Sequence, residues 1–162
     1  MLYMNRVFVL AMYVCTLSAC QFSKGVKKDP GTGLSATYNG FAIDDIYLSD
    51  GDGGRLGSNK ITLGVPVRIV ASGVRNYRLK EQKAYPGCTI VLTDRNKNEL
   101  LNLPDAFANQ PGLDASQATV LKATLNTGDP MVVGENYHLY VRFYDKENPE
   151  NEVVAKVNIQ AQ

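Results

Sequence analysis

The 162-residue sequence has no tryptophan, three cysteines and a single histidine. It also lacks an HExxH pair, a CxxC pair and a phosphate-binding glycine loop, the short motifs that indicate metal, redox or nucleotide chemistry. The histidine, His138, alternates outward on a predicted strand, with no serine, cysteine or carboxylate beside it in a recognisable nucleophile arrangement. We therefore expect neither an enzyme nor a cofactor, and we assign no catalytic residue.

The sequence also lacks an apolar run of the roughly 20 residues that a membrane-spanning helix requires. Residues 7–17 (VFVLAMYVCTL) are apolar but shorter, and they follow a head that carries one positive charge, Arg6. A basic head followed by a short apolar run is typical of a secretory signal peptide. Residues 17–20 then read LSAC, which is an aliphatic residue, two small residues and a cysteine.

This LSAC sequence resembles the lipobox of bacterial lipoproteins. The resemblance implies a diacylglyceryl thioether on Cys20, removal of residues 1–19 as the signal peptide, and acylation of the new amino group. Gln21 occupies the position where many inner-membrane lipoproteins of Gram-negative bacteria carry aspartate, so we expect the outer membrane. The stretch after Cys20 is basic rather than acidic, which favours a periplasm-facing position over the cell surface.

Removal of the signal peptide leaves no excess of charge and almost no cysteine. The whole chain has 17 Lys and Arg against 16 Asp and Glu, and loss of Arg6 makes the two counts equal at 16. A neutral chain does not favour a nucleic-acid partner, because affinity for phosphates depends on clustered positive charge. Cys88 is then the one remaining thiol, and it shares a strand face with Ile90 and Leu92. We expect it to be buried as a small hydrophobic residue, with an intermolecular disulfide as the alternative.

The pattern of the mature chain predicts a flexible tether over residues 20–37 and one β domain over residues 38–162. The tether segment is polar and rich in Gly, Ser and Lys. After it, short alternating runs predict strands near residues 41–48, 60–63, 65–71, 88–93, 119–125, 137–143 and 153–159, the last two as a hairpin. About seven or eight short strands indicate an all-β fold, a single antiparallel sandwich of immunoglobulin-like or transthyretin-like type. The absence of tryptophan and of a cysteine pair argues against an antibody-type domain.

Two predicted loops and one strand face are candidate partner-binding surfaces. Residues 73–87 place basic and aromatic side chains together, and residues 103–117 form a long connection. The strand face is the outward side of residues 138–144, with two tyrosines beside an arginine. The alternatives are that residues 73–87 are a solvated connection between strands, that Phe107 anchors the second loop to the core, and that neighbouring loops cover the strand face. The residues that we select as candidates are Arg75, Tyr77, Arg78, Tyr85 and Phe107.

A glycine-rich segment, SDGDGG at residues 49–54, superficially resembles a calcium loop, with Asp50 and Asp52 as weak candidate ligands. A calcium loop of the EF-hand type ends on a glutamate at its twelfth position, and that position is Ile61 here. We therefore expect a turn between strands rather than a metal site.

The whole layout is similar to that of the small outer-membrane lipoproteins of type VI secretion membrane complexes, which combine a lipobox, a short linker and a β-sandwich. The similarity rests on no motif beyond LSAC, so it assigns no functional residue. It implies a structural or adaptor subunit of a periplasmic envelope assembly. The alternatives are a carbohydrate- or peptide-binding lipoprotein, and an inhibitor or immunity lipoprotein that acts on a hydrolase.

Overall fold

The computed structural model describes residues 23–162, and the predicted signal peptide and Cys20 lie outside the described residues. Regular structure in this range is β apart from one 3-10 turn, Gln117–Thr119. No helix in the described residues could cross a membrane. The strands are β1 (Ser23–Asp29), β2 (Leu34–Gly40), β3 (Asp45–Ser49), β4 (Lys60–Ile61), β5 (Val67–Ser72), β6 (Lys83–Ala84), β7 (Pro86–Asp94), β8 (Glu99–Leu103), β9 (Leu113–Asp114), β10 (Val120–Leu125), β11 (Asn136–Asp145) and β12 (Asn148–Ala161).

These strands form two main sheets that pack face to face. The larger has the order β1-β2-β12-β11-β7-β8, and β4 adds to the end of β12. The smaller has the order β10-β5-β3, and β6 pairs with β9 separately. All pairs are antiparallel except β4 with β12. The predicted all-β antiparallel sandwich is therefore confirmed.

The core lies between the two sheets and is built by strict alternation along the strands. On β10 the side chains of Leu121, Ala123 and Leu125 are buried, while Lys122 and Thr124 are exposed. The central strands β11 and β12 follow the same rule, with inward residues Tyr137, Leu139, Val141, Phe143, Val153, Ala155, Val157 and Ile159. Side chains that alternate across a strand place every second residue on the inner face, which is why the period-two pattern located these strands correctly.

The predicted C-terminal hairpin is confirmed, with Tyr137 opposite Ile159 and Phe143 opposite Val153. Its turn is tighter than the polar sequence at residues 145–151 suggests. Strand β12 begins at Asn148, so only Lys146 and Glu147 separate the two strands. Polar residues here lie in the ladder because one face of it is open to water.

In the strand predicted near residues 41–48, the apolar phase shifts across Asp44 and Asp45. Phe41, Ile43, Ile46 and Leu48 are all buried, although 43 and 46 differ by an odd number of residues. Asp45 pairs with Ser72 in the ladder while the Asp44 N–H also donates to the Ser72 carbonyl. Two consecutive residues thus face one, as in a β-bulge, and both apolar sets reach the core.

The prediction of a flexible tether is wrong for residues 23–37. These residues form β1 and part of β2, which pair from Ser23 opposite Gly40 to Asp29 opposite Leu34. The physical reason is that β1 is an edge strand with exposed lysines, a composition that protects an edge and also looks like a linker. Gly25 is a packing residue, because a methyl group there would overlap the Tyr38 ring. The domain accordingly includes residues from Ser23 onward.

The structure has more strands than the seven or eight predicted. The additional strands are β1, β2, β8 and the two-residue pieces β6 and β9, while the pairing of β4 is shorter than predicted. Two-residue strands contain too few side chains to show an alternation, so their pairing depends on tertiary contacts that the sequence does not display.

Cys88 is fully buried on β7, opposite Phe143 on β11, as predicted from its strand face. Burial, reinforced by the nearby Asp105 carboxylate, raises the pKa of the thiol to about 12. The side chain therefore remains a neutral, small hydrophobic group at physiological pH.

Phe143 is expected to be sensitive to truncation, because it is fully buried and its ring stacks with Phe107 at 6.4 Å between centroids. Phe143→Ala should lower the free energy of unfolding by about 3–5 kcal/mol in urea titrations. Thr124→Ala, on the exposed face of β10, is the control and should change it by less than about 0.5 kcal/mol. A small effect of Phe143→Ala would mean that the two sheets do not pack as described.

Candidate functional site

The two predicted candidate loops meet at one end of the sandwich, together with the turn of the C-terminal hairpin. We call this region, residues 73–87, 103–119 and 145–148, the loop end. The loops join through the pairing of β6 with β9, where Lys83 lies opposite Asp114. The Lys83 Nζ and the Asp114 Oδ1 are 2.7 Å apart, so an ion pair reinforces that pairing. Backbone pairing and an ion pair therefore connect the two loops directly.

A buried carboxylate fixes the first loop to the hairpin turn. The fully buried Asp145 accepts the N–H of Arg78 at 2.6 Å and the N–H of Glu147 at 3.0 Å. Burial raises the pKa of Asp145, although these backbone donors oppose the rise. Because both oxygens have donors, the carboxylate serves as an acceptor that orders the turn.

The tip of the first loop is a tight turn in which Lys80 and Lys83 exchange backbone hydrogen bonds of 3.0 and 2.9 Å. The two residues between them, Glu81 and Gln82, have φ values of 50° and 62°. Positive φ at both central positions usually selects Asn or Gly, so this backbone is strained. Leu79 directly precedes this turn, and 48% of its surface is exposed.

The three aromatic candidates are used in internal packing. The Tyr77 ring meets Phe41 edge-to-face at 4.7 Å, and its hydroxyl donates to the Ala118 carbonyl at 3.0 Å. Burial raises the pKa of Tyr77. Phe107 stacks on Phe143 as described above. The Phe107 ring thus anchors its loop to the core.

Tyr85 packs against the second loop at Gly112. A Cβ atom on Gly112 would lie 2.7 Å from the Tyr85 ring, so glycine is required for this close approach. The Tyr85 carbonyl accepts the Lys146 N–H at 2.9 Å, which adds a bond to the hairpin turn. Tyr85 thus connects all three segments of the loop end.

The basic candidates lie at the exposed rim. Arg75 pairs with Asp44 at 2.8 Å, and this pairing raises the pKa of the guanidinium and lowers that of the carboxyl. Lys80 is 3.6 Å from Glu147. Arg78 is exposed, and within residues 23–162 no carboxylate lies in ion-pair distance of it. The rim therefore presents one unpaired cation beside an exposed leucine.

Asp105 is a polar anchor that the sequence analysis did not identify. Its Oδ1 accepts the N–H groups of Cys88 at 3.1 Å and Phe107 at 2.9 Å, and its Oδ2 lies 2.8 Å from the Lys146 Nζ. Partial burial alone would raise the pKa of Asp105, but the ammonium and the two N–H groups outweigh it and lower the pKa. The available signal was an aspartate after proline, which often starts a local turn.

The outward face of β11 is partly covered by its own cations. Arg142 lies 4.6 Å over the Tyr144 ring and its Nε is 2.5 Å from the Glu152 carboxylate. His138 is exposed, as predicted, with its Nδ1 2.6 Å from the Asn158 Oδ1. Tyr140 lies 5.9 Å from the Lys156 ammonium. Cation–π contacts and ion pairs on this face reduce the aromatic surface that it offers.

The opposite end of the sandwich carries an exposed apolar surface that the sequence analysis missed. We call residues 61–66 and 126–135 the valine end, after Val65, Val132 and Val133, which are 40%, 59% and 65% exposed. The signal was the adjacent pair of valines in a loop. Apolar side chains this exposed are candidates for an interaction surface.

Hydrogen bonds hold the loop that contains Val132 and Val133 on both sides. The Val132 N–H donates to the Tyr137 hydroxyl at 2.6 Å, and the Gly134 N–H donates to the Ala161 carbonyl at 2.8 Å. Beside the loop lies a cleft of about 300 Å³ that the Arg95–Glu135 ion pair borders. Its lining includes Arg95, Leu100, Pro130, Val132, Glu135 and Tyr137.

The weak calcium candidates form a turn. Asp50 Oδ1 accepts the N–H groups of Asp52 at 3.0 Å and Gly54 at 2.7 Å, and Asp52 is exposed. In the part of the chain that the structure describes, no three His, Cys, Asp or Glu side chains are placed to hold a metal ion.

Comparisons with known proteins give no family. No protein-family model and no curated protein matches the sequence. Among solved structures the chain is similar to the PmoD soluble domain from a Methylocystis species, with 12% identity, over 72% of this chain and 89% of that one, at a TM-score of 0.37. A TM-score of that size does not establish a shared fold.

The Asp105 cluster predicts a pH dependence of stability. Asp105→Asn should lower the free energy of unfolding at pH 7 by about 1–3 kcal/mol, because the neutral amide loses the charge that pairs with Lys146 and places an NH2 donor opposite that ammonium. Since the pKa of Asp105 in the folded chain lies below the ordinary 3.8, the advantage of the native protein is present above that pH and disappears as pH falls through the folded-state value. Urea titrations across acid pH measure the difference.

The matched control is Asp52→Asn, at an exposed position in a turn. It should change the free energy of unfolding little at any pH. If Asp105→Asn kept the same deficit at a pH below the folded-state pKa as at pH 7, the ionised carboxylate would not be the stabilising species.

Proposed function

We propose that this chain is an outer-membrane lipoprotein that acts as a structural or adaptor subunit of a periplasmic envelope assembly, such as a secretion-system membrane complex. The proposed role is binding. The lipobox-like LSAC and Gln21 support the anchor and its membrane. The observation that carries the proposal is that the sandwich begins at Ser23, three residues after Cys20.

Lipid on Cys20 would hold the folded domain directly at the membrane. Consecutive Cα atoms are about 3.8 Å apart, so the Cα atoms of Cys20 and Ser23 are separated by at most about 11 Å. Each buried methylene of the acyl chains adds about 0.8 kcal/mol to membrane binding, so several chains form a durable anchor. A domain fixed this closely suits an assembly that must be located at the membrane.

The valine end supports the adaptor role. It lies at the opposite end of the sandwich from the start of β1, and the loop with the exposed Val132 and Val133 is held by hydrogen bonds to the Tyr137 hydroxyl and the Ala161 carbonyl. A rigid apolar surface loses little conformational entropy on binding. We infer that it is the surface which an envelope protein contacts, whereas the aromatic candidates at the loop end are engaged in packing.

Replacement of the predicted lipidated residue tests the anchor. Cys20→Ala should remove the acyl mass from the purified protein and release the protein from the membrane fraction. Cys15→Ala, inside the predicted signal peptide, is the matched control and should change neither. The anchor is refuted if Cys20→Ala retains the acyl mass, or if the native protein has none.

Replacement of exposed valines tests the adaptor surface. The double variant Val132→Asp and Val133→Asp should abolish cross-linking of the protein to its envelope partner in intact cells, read by mass spectrometry, because charge opposes burial of that surface. Val26→Asp alters a valine that is equally exposed, at 59%, but lies on β1. It should leave the cross-links intact. Unchanged cross-linking in the double variant would contradict the proposed surface.

A further inference from the structure

The described chain starts at the loop end. Ser23 pairs with Gly40, and the Gly40 carbonyl accepts the Asn76 Nδ2–H at 3.1 Å. Asn76 lies in the first loop, three residues before Leu79, and its own carbonyl accepts Asn151 Nδ2–H at 2.8 Å. Strand β1 then runs from this end toward the opposite one, because it is antiparallel to β2.

The covalent distance to the predicted lipid is comparable with the thickness of a headgroup layer. The Cα of Cys20 lies within about 11 Å of that of Ser23. The polar region of a bilayer adds about 5–8 Å to the hydrocarbon core on each side. A cysteine whose lipid is embedded in the membrane therefore leaves almost no space between the headgroups and the end of the sandwich at which β1 starts.

The exposed rim of the loop end has side chains that are suited to contact with a headgroup layer. Leu79 is 48% exposed and stands between Arg78 and Lys80. Within the described range Arg78 has no carboxylate partner, so its guanidinium is free to bind a phosphate oxygen. Long cationic side chains beside an apolar residue are suited to the membrane interface, where the stems contact apolar groups and the charges remain in the headgroup layer.

We propose that the loop end, through Arg78, Leu79 and Lys80, contacts the phospholipid headgroups of the membrane that holds Cys20. This inference rests on the proposed lipidation. It gives the domain an orientation: the loop end faces the lipid and the valine end faces away from it.

Fluorophores on single introduced cysteines test the orientation. The lipidated chain is purified and placed in vesicles of phosphatidylethanolamine and phosphatidylglycerol that include a lipid with a nitroxide on its headgroup. Leu79→Cys and, separately, Arg78→Cys carry the label at the loop end, and Val133→Cys carries it at the valine end. Cys88 is fully buried and does not react in the folded protein, and the Cys20 sulfur is held in the thioether.

We expect the nitroxide lipid to remove most of the fluorescence at position 79 and at position 78, and little at position 133. Equal loss at both ends, a greater loss at position 133, or no loss at either loop position would overturn the proposal. It would also be overturned if the loop positions escape the nitroxide in vesicles and instead cross-link to a protein in cells, because the partner would then be that protein.

An intact mass of the same sample separates the two hypotheses. An acylated mass with no preference for the loop end contradicts the orientation and leaves the lipoprotein proposal standing. A mass without acyl chains contradicts the lipoprotein proposal, and the orientation fails with it.

Discussion

Strand β12 is the constraint on which the arrangement of the molecule depends. It has 14 residues and pairs with β11, β2 and β4. Near its start the Asn151 side chain bonds to the loop end, and near its finish Ala161 bonds to both Gly134 and Glu135 of the valine end. One continuous strand, rising about 3.3 Å per residue, thus separates the two ends by roughly 30 Å. Antiparallel neighbours pair with it on both sides, so one hydrogen-bonded ladder connects the two ends.

The same strand explains why a short link to a membrane would orient the whole domain. Strand β2 pairs with β12 from Asn39 to Ser35, and β1 pairs with β2 along its full length. The position of Ser23 is therefore set by the central ladder and not by a loop. In our proposal this places lipid at the loop end and leaves the valine end for a protein. The two binding roles then occupy surfaces that do not compete.

The sequence predicted those strands in which one face is buried in the core and the other is exposed to solvent. Leu121 with Ala123, and Tyr137 with Leu139, show that alternation clearly. The prediction from sequence failed at β1, because an edge strand buries little surface and its glycine and lysines resemble a linker. The candidate loops were located correctly, but composition does not distinguish an aromatic ring that packs from one that is presented. Val132 and Val133 were missed because the loop that exposes them is held by the Tyr137 hydroxyl and by the distant Ala161 carbonyl, and composition does not reveal either contact.

The folded domain begins at Ser23, so only Gln21 and Phe22 separate the predicted lipidated cysteine from the sandwich. Hydrogen exchange of the membrane-bound protein, resolved for the backbone amides of residues 24–40, tests it most directly. Native-state exchange reports local opening, and amides in a stable ladder exchange slowly. We predict that the paired amides of β1 and β2 are protected, those of β2 to nearly the same extent as those of β12. Exchange at the rate of an unstructured chain over residues 24–37 would restore the tether and contradict the account.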